Sequence, residues 1–151
     1  MIPAGSDGVA CLAERIRQDL IPRAQDAYTA GDLAHLTFML AAVAQDYDRA
    51  VDVFVTEHGL LATLFEAARP HLDDGRLAQR IDQALAAPDV GLRTPALSAR
   101  ADVTLKLLIE LHAAVEDAEA TGAAWAADLN DKIWRFLDGY VERRAYDVAI
   151  G

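Results

Sequence analysis

A chain of 151 residues with 24 acidic against 14 basic side chains, and so a formal net charge of −10, has the length of one domain. It can bury roughly 70% of its unfolded surface, enough to hold a core without metal or disulfide. The excess of carboxylates, with no basic cluster larger than Arg143-Arg144, excludes the phosphate-neutralising face that nucleic-acid binding requires and makes an anionic membrane a poor partner.

Cys11 is the single cysteine, so no internal disulfide can form, which fits a cytoplasmic, reducing location. Met1 to Gly8 carries neither the basic nor the apolar region of a signal peptide. The longest apolar run, Leu36 to Ala44, falls short of the ~18 residues a membrane span needs. Hydrophobic residues make up 53% and aromatic ones only 7%. Alanine, the best helix former, supplies much of the difference.

In chain order, Ser6 reads as the N-cap of a first helix with Asp7 in its first turn. Val9, Leu12, Ile16 and Leu20 follow at helical spacing until Pro22 kinks or divides the pattern. Gly31 and Asp32 read as the end of that segment and the cap of the next. The second helix places Leu33, Leu36, Leu40, Val43, Tyr47, Val51 and Phe54 on one stripe. Its β-branched stretch Val51 to Thr56 is outweighed by that helical phase. The stripe continues in phase through Leu61, Phe65 and Ala68. A straight helix from Asp32 to Arg69 would measure roughly 57 Å, however, so a break or bend is expected near Gly59.

Pro70 should stop the third helix, and Asp73 or Asp74 should cap a fourth carrying Leu77, Ile81, Ala84 and Leu85. Pro88, Gly91 and Pro95 mark a loop, with Thr94-Pro95 opening a fifth helix on Leu97, Ala101, Leu105, Leu108 and Val115. Gly122 separates it from a last helix with Trp125, Leu129, Ile133, Phe136, Leu137 and Tyr140 inward, and with Asp128–Lys132 and Asp131–Arg135 pairs outside. Short connections favour antiparallel neighbours. The expected fold is all-α: an antiparallel helical bundle of about five or six helices in a single domain.

Chemistry is thinly signalled. No Glu-x-x-His occurs, and the four histidines, His35, His58, His71 and His112, are too few for a polyhistidine carrier site, so no metal and no cofactor is implied. Ser6 and Ser98 both sit at helix starts, and no nucleophile elbow or phosphate loop is present. Cys11, at the border of the first apolar face, reads as packing. Glu110 shares a stripe with Lys106, Ala113 and Asp117, which reads as a solvated face. Two polar residues fall on apolar stripes: His112 between Leu108 and Val115, and Asn130 between Ala126 and Ile133. Each should bond a fixed partner, or the two could line a pocket with Tyr47, Trp125 or Trp134.

Apolar residues exceed what one stripe requires. Leu107, Leu111 and Ala114 lie off the main stripe of the fifth helix, and Trp134 lies off that of the last. The expectation is a non-enzymatic accessory or regulatory protein acting by association, as a homodimer, with Trp134, Leu107 and Leu111 at the interface and a protein partner as the other occupant. The alternative is a small-molecule binder or enzyme with a pocket in the bundle core near His112 and Asn130.

Overall fold

Asp26 starts the long helix of this protein. Its carboxylate accepts the Thr29 backbone N–H at 2.8 Å and the Thr29 hydroxyl at 2.8 Å, satisfying a donor that the helix itself leaves free. The cap therefore lies upstream of the expected Gly31-Asp32 pair, both of which are inside the helix. The computed structural model describes residues 4–73 and 75–147. These form helices joined by turns and short loops, with no strand among the described residues, and make an all-α helical bundle. The helices are α1 (Gly5–Arg15), α2 (Ala27–Ala68), α3 (Arg76–Leu85), α4 (Thr94–Ala120) and α5 (Ala124–Arg144). None of the described helices is long and apolar enough to cross a membrane.

The helix ends follow local chemistry. Ala4, not Ser6, flanks α1, and Ser6 lies in the first turn with its side chain buried. After Arg15 the chain widens into a π-helical turn, Ile16–Leu20, and then tightens into a 3-10 turn, Ile21–Arg23, around Pro22. Proline has no N–H to continue the ladder. Gly75 precedes α3 without a side-chain cap, so Asp73 does not serve as one, and Asp74 lies outside the described residues. Thr94 and Pro95 are the first two residues of α4, behind Arg93. At its far end Gly122 adopts φ +83°. There the Ala123 N–H reaches Ala118 O at 3.0 Å and the Gly122 N–H reaches Glu119 O at 2.9 Å. This is the Schellman closure that only glycine adopts cheaply.

The expected break at Gly59 does not occur. Helix α2 passes through Gly59 uninterrupted. A glycine in a helix interior costs about 1 kcal/mol relative to alanine. The fully buried Leu61, Phe65 and Ala68 just beyond it outweigh that cost. The length objection fails because the chain divides into two compact units, residues 1–50 with 145–151 and residues 51–144, and α2 contributes to both.

The second unit holds the large core. Leu61, Leu64, Phe65 and Ala68 of α2 meet Ile81 of α3, Leu108 and Val115 of α4, and Leu129, Ile133 and Phe136 of α5. Leu107 and Leu111 belong to this core, at 1% and 0% exposure, and are thereby removed from any surface interface. Helix α4 packs against α3 and α5 at once, so its buried arc is wider than a single stripe.

The first unit is different. Among its described residues only Ser6, Ala13 and Ala44 are buried. The C-terminal segment straps the α2 surface. Gln45 bonds the backbone of Asp147 through both amide atoms, at 3.1 and 2.9 Å, and Arg49 donates to Ala145 O at 2.6 Å. The Tyr146 hydroxyl donates to Asp46 at 2.8 Å. Cys11 is exposed and is not core packing.

Candidate functional site

Of the residues that the sequence nominated for a pocket, His112 and Asn130 are brought together. Helices α4 and α5, joined at Gly122, place His112 Nε2 2.9 Å from Asn130 Oδ1. The amide Nδ2 of Asn130 donates in turn to Glu119 Oε2 at 2.6 Å. An Asn carbonyl only accepts, so the imidazole carries its proton on Nε2. Glu116 stands 3.7 Å from the same nitrogen, and the Trp134 ring meets the imidazole edge-on at a 5.3 Å centroid distance. The two out-of-place polar residues satisfy each other and tie α4 to α5.

The other nominated residues lie elsewhere. Trp125 stacks on His71 at 4.7 Å with a 3° interplanar angle. Tyr47 belongs to the first unit, 68% exposed, with its ring against Gly5. Trp134 is 52% exposed, while Leu107 and Leu111 are core. Glu110 is paired with Arg80, whose bond holds its carboxyl below the usual carboxylate range. This is the solvated face that the sequence indicates.

Three features were missed by sequence reasoning. One is Glu57, at 2% exposure the most buried carboxylate described. It is paired with Arg144 at 2.7 Å and approached by Arg143 at 3.6 Å. Arg144 also lies over the rings of Phe54 and Tyr140, at 5.4 and 4.5 Å. Beside Glu57, a cavity of about 10 Å³ is lined by His58, Arg100 and Thr104. Burial, reinforced by the Arg100 charge and opposed by Asp89, pushes the His58 imidazole below its ordinary pKa.

A second feature is a groove of about 980 Å³ in the first unit, between α1 and α2. Its floor is alanine: Ala10 and Ala13 from α1, and Ala34, Ala41 and Ala44 from α2. Methyl groups cannot fill the gap between two helices, so the space stays open. The only sequence signal was alanine recurring at helical spacing, which composition alone reads as helix propensity.

The third is the opposite side of α2. Leu36, Met39, Val43 and Tyr47 are 48%, 51%, 52% and 68% exposed. They stand about 120–180° around the helix from Ala34 and Ala41, at about 100° per residue, with the Tyr47 ring reaching back to Gly5 of α1. Among the described residues, no group of three or more His, Cys, Asp or Glu is disposed to hold a metal ion. Comparison of the chain with protein-family models, with curated proteins and with solved structures finds no match.

Proposed function

We propose that this protein acts by helix association and not by catalysis, as a homodimer formed through the outer face of α2 in the first unit. The observation that carries the reading is the contrast along one stripe. Leu33, Leu36, Leu40, Val43, Tyr47, Ala50 and Phe54 step by three and four residues, the spacing of a helix–helix seam. The same three-and-four spacing continues through Leu61, Leu64 and Ala68, which are buried in the second unit. Its first part, by contrast, has large side chains half in water. Exposed apolar faces of this kind seal subunit contacts.

Charge supports a second copy as the occupant. Two copies at −10 each repel, yet Leu33 to Ala44 contains no Asp, Glu, Lys or Arg. This is where like-charged copies can meet without bringing charges together. Antiparallel pairing also keeps the Asp46 and Asp48 ends of the two helices apart and opposes their dipoles. Trp134 is the weaker candidate, because its exposed neighbours on α5 include Asp131, Arg135 and Asp138.

Sedimentation equilibrium across the micromolar range tests the reading. The wild-type chain is expected to dimerise, Val43→Glu to sediment as a monomer, and Trp134→Ala to remain dimeric. A monomer at every concentration, or a Val43→Glu dimer as tight as the wild type, would contradict it.

A further inference from the structure

We infer that the groove between α1 and α2 is a binding site for an amphiphilic organic cation, a small molecule with an apolar body and an ammonium head. The site lies on the side of α2 away from the association face and does not depend on that reading.

Its volume, about 980 Å³, lies at the upper end of the roughly 300–1,000 Å³ typical of small-molecule pockets. The floor of alanine methyls, with Phe38 and Ile21 also lining the space, offers contact only to an apolar body.

The polar groups set the sign of the head. Arg17 lines the groove but is engaged: its Nε and Nη2 bond Glu14 at 2.9 and 2.6 Å, and that bond holds the Glu14 carboxyl below its ordinary range. Asp7 and Asp48 also line the groove, and among the described residues neither has a hydrogen-bond or ion-pair partner. With Arg17 and Glu14 cancelling, the exposed carboxylates of Asp7, in the first turn of α1, and of Asp48 are left without an ion-pair partner, which favours a cation.

Ser6 points the same way. It is nine-tenths buried and lines the groove, and its hydroxyl makes no hydrogen bond among the described residues. Its oxygen is open to the groove, and it can accept an N–H from an ammonium head.

The test uses three probes with one tail, decylammonium, decanol and decanoate, titrated calorimetrically into the full chain below their micellar concentrations at neutral pH. Decylammonium is expected to bind at least tenfold more tightly than decanol, with decanoate weakest. Asp7→Asn/Asp48→Asn is expected to bring decylammonium to within about twofold of decanol while leaving decanol binding in place. Filling the floor with Ala41→Leu, or with Ala10→Leu at an exposed position of α1, should weaken all three probes at least tenfold. Circular dichroism confirms the fold of each variant. Equal affinity for the three heads, unchanged affinity in both filled variants, or no binding of decylammonium would overturn the proposal. Sedimentation of the filled variants should match the wild type, which keeps this outcome separate from that of the association face.

Discussion

Glu57 and Arg144 form a two-point ion pair in the second unit, Oε2 to Nη2 at 2.7 Å and Oε1 to Nε at 3.2 Å. Glu57 takes a place on α2 where the three-and-four spacing calls for an apolar residue. The side chain of Glu57 is 3% exposed, while those of Arg143 and Arg144 are 24% and 35% exposed. The cost of breaking the pair is therefore asymmetric. Arg143→Ala/Arg144→Ala strands a carboxylate that cannot reach water, and should destabilise the fold by about 3 kcal/mol, the low end for a broken buried pair. Glu57→Leu leaves Arg144, whose side chain is 35% exposed, able to turn to solvent and strands only the partly buried Arg143, and should cost less. Urea denaturation midpoints order the two variants, and a larger loss for Glu57→Leu would contradict the assignment.

His58 should make the fold sensitive to mild acid. Its pKa is lowered in the folded chain, chiefly by burial and next by Arg100. Above about pH 6.5 the imidazole is neutral in both states and its contribution is intact. As pH falls below that value the unfolded chain takes up the proton first, and stability is lost until the folded value is passed. His58→Asn should flatten the melting temperature between about pH 5 and 6.5, a range above carboxylate titration. An unchanged slope would place the sensitivity elsewhere.

The pair of His112 and Asn130 should show coupling. In a double-mutant cycle with His112→Leu and Asn130→Leu, the interaction is expected to be about 0.5–1.5 kcal/mol, the net value of one hydrogen bond. Additive losses would mean that the two residues stabilise α4 and α5 independently.

These residues also mark how far the sequence can be read. The stripes of α4 and α5 were legible because Leu97, Leu108, Val115, Leu129, Ile133 and Phe136 recur at helical spacing and are buried. Leu107 and Leu111 were misplaced because periodicity says which side chains share a face, but not how many neighbours the helix has. The same gap hides the difference between Val43 and Leu64, which continue one three-and-four spacing at 52% and 6% exposure. Gly31-Asp32 imitated a helix boundary that Asp26 supplies, since both sites offer a carboxylate before an apolar stripe. The alanine groove carried no polar motif, and its free carboxylates become a set only once α1 lies against α2.

Asp26 offers a local check on the first unit. Its carboxyl is held below the usual range by the Thr29 backbone N–H and then by the Thr29 hydroxyl. Asp26→Ala should speed hydrogen exchange in the first turn of α2 and leave α5 protected. In the wild type the cap's contribution is present above the ordinary carboxylate pKa and is lost as pH falls through the lowered value. Equal exchange in wild type and variant would show that the cap does not hold this end.

Cysteine cross-linking tests the central claim most directly. In a Cys11→Ser background, Val43→Cys and Tyr47→Cys are each treated with a short bifunctional thiol reagent at micromolar concentration. An antiparallel pair centred between Leu40 and Val43 sets the two Val43 positions about 5 Å apart along the axis and the two Tyr47 positions about 17 Å apart, at 1.5 Å per residue. The account predicts a covalent dimer from Val43→Cys and none from Tyr47→Cys. Cross-linking at neither position, with Trp134→Cys captured instead, would place the association on α5 and contradict it.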